Sequence, residues 1–183
     1  MQKLDWQYYQ SLAEAELPPA ELMDWLLDPA SFIQRLKQHH IAEPEVHVLS
    51  QRWERLPLDE RELLAIPEQQ YALVREVLID SKEGQWMFAR TVFPAATLTG
   101  KERMLAQLKN RSLGSVLFQD PTVKRGDFEI AAILPDTAWY QKIMSAAKVS
   151  SDILWARRSL FHIQNKSLLL AEVFLPAIQT LSR

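Results

Sequence analysis

The stretch Tyr71–Pro94, YALVREVLIDSKEGQWMFARTVFP, constrains the fold more than any other part of the chain. Val, Ile, Tyr, Phe and Trp fill two arms, and Asp80-Ser81-Lys82-Glu83-Gly84 supplies turn chemistry between them, which predicts a β-hairpin. Side chains alternate faces along a strand, so Tyr71, Leu73, Arg75, Val77 and Ile79 share one side of the first arm. In the second arm Trp86, Phe88, Arg90 and Val92 share a side. Each arm thus sets one arginine in an apolar stripe. With the turn centred on Lys82–Glu83, antiparallel pairing puts Arg75 opposite Arg90; a one-residue bulge would shift that register. Like charges opposite each other are destabilising, and burying them costs more unless a carboxylate or a bound anion compensates. Two inward arginines therefore point to an anionic ligand.

The elements around the hairpin read as one α+β domain over residues 1–183. Residues 1–17 are polar-aromatic, and Pro18-Pro19 interrupt them. Ala20–Leu27 predicts a short helix with Leu22, Trp25 and Leu26 on one face. Ser31 followed by Gln34 has the spacing of a capping box, opening a second helix with Phe32 in its first turn. Glu45–Leu56 suits an edge strand and Leu58–Ile66 a short helix. Thr99–Asn110 is helical by residue choice, with Met104, Leu105 and Leu108 inward, and Leu113-Gly114-Ser115 follows as a turn where glycine permits close backbone approach. Asp127–Leu134 predicts a strand and Ala138–Lys148 a helix. Ile153–Gln164 and Ser167–Ala177 form a second hairpin around Asn165-Lys166. Its last arm is apolar on both faces, so that strand should be central and Glu172 buried. The expected architecture is a mostly antiparallel sheet of about six strands, with helices around it enclosing an internal ligand site.

Composition closes off several function classes. A net charge of −2 and a pI near 6.1 argue against a general nucleic-acid binder. With no cysteine there is neither disulfide nor thiolate metal site. The N-terminal MQKLDWQYYQ has no apolar signal core, and no stretch approaches the ~20 apolar residues of a membrane span. The expected setting is cytoplasmic and the expected state a monomer. His39-His40 point about 100° apart on a helix and make poor joint ligands, and His162 in an apolar strand reads as a core residue. Arg157-Arg158 point to opposite faces, at least one of them to solvent, and the six tryptophans read as core and helix-packing residues. No Gly-rich phosphate loop or metal-spaced cluster is present in the sequence.

Three strands each carry one ionisable residue in an apolar stripe: Arg75, Arg90 and Glu172. A buried salt bridge between the hairpins is one reading. Two arginines against one glutamate leave one positive charge over, which suits an anionic guest such as a carboxylate.

The runs LVREVLI, FARTVFP, TLTG followed by LGSVLF, and LLLAEVFLPA, in this order, resemble the chorismate pyruvate-lyase family over roughly Trp25 to Ala177. The resemblance implies removal of pyruvate from chorismate to leave 4-hydroxybenzoate, the entry step of ubiquinone biosynthesis, with no metal or organic cofactor. It implies an antiparallel sheet with helices closing over an internal site. Matched residue by residue, it implies that Arg75 holds the ring carboxylate and that the Leu113 backbone amide assists there. By the same match the resemblance implies that Glu172 meets the ring hydroxyl and that Arg90 serves the enolpyruvyl carboxylate. Phe32 stands where well-known members have a methionine at the lid over the ring, and the segment between Ile130 and Leu154 is longer than in compact members. Whether Glu172 orients the hydroxyl or moves a proton stays open. A rival is a non-catalytic small-acid sensor of the same fold, although the first 45 residues are too few and too acidic for a preceding DNA-binding domain. A lyase that only retains 4-hydroxybenzoate is the other.

Overall fold

The computed structural model describes residues 4–181. Its strands are β1 (Gln7–Tyr8), β2 (Glu45–Arg55), β3 (Tyr71–Ser81), β4 (Gly84–Pro94), β5 (Val123–Arg125), β6 (Glu129–Ile133), β7 (Leu154–Ile163) and β8 (Lys166–Phe174). Among the described residues these form one eight-stranded sheet in the order β1-β6-β7-β8-β4-β3-β2, with β5 also pairing β7. Every pairing is antiparallel. The α+β architecture is as expected, with more strands, because β1 and β5 are too short to show an alternating pattern. β8 is central, between β7 and β4, and β2 is an edge.

A bulge in the first hairpin decides what each face of the sheet carries. Ile79 pairs with Met87 while Asp80 pairs with Gln85, which leaves Trp86 as an extra residue. The register beyond it places Arg75 opposite Thr91 and Arg90 opposite Glu76. The expected Arg75–Arg90 pair therefore does not form, and the two arginines leave opposite faces of the sheet. Both faces are covered, and both are apolar cores with charges embedded in them.

On one face, called the front, pack α1 (Ala20–Leu27), α2 (Phe32–Gln38), the 3₁₀ segment Gly100–Gln107 and α4 (Gly114–Leu117). On the back lie α3 (Leu58–Leu64) and α5 (Ala138–Ala146). In α1 the buried side chains are Leu22, Trp25 and Leu26, as their spacing predicts. α2 begins after Ser31, but the Ser31 side chain makes no capping hydrogen bond. Gly100 adopts φ +62 and the following turn tightens to 3₁₀, so the expected α-helical periodicity slips. Leu105 and Leu108 are buried, but Met104 is exposed. The second hairpin turns on Gln164-Asn165 rather than Asn165-Lys166, with Gln164 at φ +57. His162 is exposed beside Ser167 instead of in the core, and Trp53 is half exposed.

The longer segment between Ile130 and Leu154 supplies α5, capped by Thr137, which accepts from Tyr140 N. It covers the back face through Ile143 and Ala147, and Trp139 meets Phe88 edge-on. Arg157 and Arg158 do point to opposite faces, but neither reaches solvent. Each is buried with its own carboxylates. No helix among the described residues is long and apolar enough to cross a membrane.

Candidate active site

The front face carries a partly open cavity. Its floor is Arg75, Val77 and Ile79 of β3, Met87, Ala89 and Thr91 of β4, and Leu170 and Glu172 of β8. Alternation along three adjacent strands aims these side chains the same way. Residues 30–33, leading into the first turn of α2, and residues 112–118, around α4, close the space from above. Arg125 and Phe161 complete its wall. The two covering segments nearly touch at Gly114, where a Cβ would lie 3.1 Å from Ser31 Oγ and 3.2 Å from the Phe118 ring. That is the close approach for which glycine was expected at this position.

Arg75 is 2% exposed and its Nη2 donates to the Lys109 and Arg111 carbonyls at 2.7 and 3.0 Å. These bonds tie the strand to the loop that carries Leu113. Its buried Nε has no partner. Burial lowers its pKa to about 10, which still leaves the guanidinium charged at neutral pH. Arg75 is thus a buried cation held by carbonyls, with one donor unspent.

Glu172 lies two strands away, in the row Val77–Ala89–Glu172–Arg157. Its Oε2 accepts from Arg157 Nε at 2.7 Å and from Arg125 Nη2 at 2.6 Å. Burial pushes its carboxyl up, but Arg157 and Arg125 outweigh burial and hold it at about 2. Arg125 also donates from Nε to Ser159 Oγ at 2.9 Å and lies over the Phe128 and Phe161 rings. Burial lowers the Arg125 pKa to about 10, with Glu172 opposing and Arg157 reinforcing the shift.

Phe32 lies over the cavity, edge-on to Trp25 and Phe174 with centroids 5.7 and 5.8 Å away. Leu113 lines the cavity beside the Arg75-bound loop and starts α4. Arg75, Glu172, Leu113 and Phe32 are thus brought together. Arg90 is not. On the back face its Nε and Nη2 hold both oxygens of Glu60 at 2.8 and 3.0 Å, Nη1 holds Glu76 at 2.9 Å, and Nη2 also reaches Glu54 at 3.0 Å. Its charge is consumed by three carboxylates on the far side of the sheet, so it cannot meet a ligand in this cavity.

Sequence reading missed Arg125, which sits on a three-residue strand in a polar segment with no periodicity to display it. It also missed Arg157. The signal available there was an Arg-Arg pair inside a strand that is otherwise apolar on both sides.

An open antiparallel sheet with a covered cavity on one face, lined by an arginine with a spare donor and an arginine-clamped glutamate, defines the class of α+β domain to which this chain belongs. The same fold occurs in the effector domain of PhnF from Mycobacterium smegmatis (TM-score 0.58, 12% identity, 82% of this chain and 91% of that one). It recurs in a GntR-family transcriptional regulator from Bacillus cereus (TM-score 0.56, 16% identity, 74% of this chain and 93% of that one). At such identities the likeness concerns the fold alone. The chain belongs to the chorismate lyase family, whose sequence profile matches residues 1–183. It is 40% identical over 154 residues to a probable chorismate pyruvate-lyase of Methylococcus capsulatus, across 84% of this chain and 94% of that protein. Its identity to a probable chorismate pyruvate-lyase of Psychromonas ingrahamii is 37% over 174 residues, across 91% of both.

Proposed function

We propose that the front cavity binds chorismate and converts it to 4-hydroxybenzoate and pyruvate, as the entry step to ubiquinone biosynthesis in a cytoplasmic monomer. The observation that carries this reading is the charge inventory of an otherwise apolar cavity. Arg75, Arg125 and Glu172 line it, and Arg157, which pairs with Glu172 without lining the cavity, adds a third guanidinium, so the cluster keeps a positive surplus for an anionic substrate. Arg75, with its unpartnered Nε, takes the ring carboxylate beside the Leu113 amide. Arg125 takes the enolpyruvyl carboxylate, the part that Arg90 is turned away from playing.

In the reaction the ring C–O bond to the enolpyruvyl group breaks and the hydroxyl-bearing carbon loses its proton, whose electron pair completes the aromatic ring. Passed to the enolpyruvyl methylene, that proton yields pyruvate with no outside base. Aromatisation drives the step, so the enzyme has to hold one conformer and stabilise charge on the departing oxygen. Glu172, held at about 2, is a weak base near neutrality, far from the pKa that serves proton transfer best. Its part in this reading is to accept a hydrogen bond from the hydroxyl and orient the ring.

The test is incubation of the purified protein with chorismate and measurement of both products. Equimolar 4-hydroxybenzoate and pyruvate are expected. Binding of 4-hydroxybenzoate without release of pyruvate would overturn the catalytic reading in favour of a domain that only retains the acid.

A further inference from the structure

The ion pairs on Glu172 extend beyond the cavity into its cover. Arg157 spends its Nε on Glu172 and its Nη1 on the carbonyls of Trp25, Leu26 and Asp28, at 3.0, 3.1 and 2.6 Å. These carbonyls close α1, where a helix runs out of internal partners and where a cation also meets the negative end of its dipole. Arg125 repeats the arrangement, with Nη2 on Glu172 and Nη1 on the Pro29 carbonyl at 3.4 Å. Both cations that clamp Glu172 therefore also grip backbone within residues 25–29. The next residues, 30–33, are the ones that cover the cavity. The Arg157 guanidinium is further wedged between the Phe128 and Phe174 rings, at 4.8 and 5.3 Å, and Phe174 touches Phe32.

We infer that Arg157 is a positioning residue that latches the α1–α2 cover to Glu172, so that events at the ring-hydroxyl end of the cavity govern when the cover opens. The inference rests on the functional reading above for the identity of the ligand, but the latch itself is a statement about residues 25–33. A planar guanidinium is required, because one face of the fork addresses a carboxylate while the other addresses helix carbonyls. A lysine ammonium keeps the charge and loses that double reach. When a ligand hydroxyl engages Glu172 and the carboxylate shifts, Arg157 and the end of α1 shift with it.

Arg158 provides the control, being the adjacent residue, 7% exposed, and paired with Glu129 and Asp59 on the opposite face. Dissociation of 4-hydroxybenzoate is measured by rapid dilution, and hydrogen exchange over residues 25–33 by mass spectrometry, on the intact protein. Arg157→Lys should release product about tenfold faster, the effect of losing one charged hydrogen bond, and should raise exchange over 25–33. Arg158→Lys should lower Tm while leaving both readings as in the parent. Parent-like release from Arg157→Lys, or equal acceleration by Arg158→Lys, would overturn the latch. Should Arg157→Lys fail to fold, Glu172→Gln cuts the same connection from its other end. Faster exchange over 25–33 supports the inference, and unchanged exchange refutes it. A parent protein that neither turns over chorismate nor binds 4-hydroxybenzoate would overturn the functional reading. In that case the ligand-free exchange comparison still decides the latch.

Discussion

Two arginines in one hairpin have opposite fates, and single substitutions should separate them. Arg75→Ala removes the cation with a spare donor, and losing a buried charged hydrogen bond to a ligand costs ~2–5 kcal/mol. Affinity for 4-hydroxybenzoate, measured by calorimetry, should fall by about 10² or more while the far-ultraviolet circular dichroism is unchanged. Arg90→Ala instead strands Glu60 in the back core, while Glu76 and Glu54 keep Lys142 and Arg52, and breaking a buried ion pair from one side costs ~3–5 kcal/mol of stability. Denaturant midpoints should show that loss, and where the variant folds its ligand affinity should match the parent. At Glu172, replacement by Gln should lower turnover only modestly if the carboxylate orients the hydroxyl. A drop of about 10²-fold with binding intact would mark it as a proton carrier after all. Alternation along β3 foresaw an inward Arg75, and the two apolar faces of β8 foresaw a buried Glu172. The same rule misplaced Arg90, since one extra residue at Trp86 reverses every side chain beyond it and leaves no compositional trace.

The covering elements were read with less success than the strands, for a physical reason. Strands announce themselves as long apolar runs, whereas α2, α4 and Gly100–Gln107 are short and take their form from what they cover. Ser31 illustrates this. Its sequence position suited a helix cap, yet the hydroxyl turns to the cavity and sits under Gly114. Gly114→Ala should force the two covering segments apart, because Ser31 Oγ and the Phe118 ring would both have to yield by a few tenths of an ångström. Overpacking of this kind costs ~1–3 kcal/mol of stability, expected here as a lower Tm together with weaker 4-hydroxybenzoate binding. Phe32→Ala, which empties the aromatic contact between Trp25 and Phe174, should speed product dissociation in rapid dilution. A rate equal to the parent's would make Phe32 an ordinary core side chain.

At the scale of the whole molecule, buried charge sets the response to acid. The Glu172 carboxyl is depressed from 4.5 to about 2, so its contribution is complete above about pH 4.5 and is lost as pH falls towards 2. That contribution is on the order of 3 kcal/mol by linkage. Glu76 on the back face moves the same way, since Lys142 and Arg90 outweigh its burial. Chemical denaturation across that window should show steep acid destabilisation, and Glu172→Gln should flatten part of the slope. An unchanged slope would mean that the pair is not carrying it. The back-face row Glu76–Arg90–Ala171–Arg158–Glu129 runs across five strands, with Asp59 and Glu60 of α3 reaching down on the two arginines. Nothing in single-strand patterning announces such a row, because it exists only once the strands are in register.

The central position of β8 has a consequence for how the protein comes into being. Lys166–Phe174 lies between β4 and β7, yet it is synthesised after both and after every other strand described. Until it emerges, β4 and β7 each present a bare edge to other chains in the cell, and the two hairpins have nothing to join them. The same nine residues carry Glu172. A growing chain therefore gains Glu172 in the very step that seals its sheet.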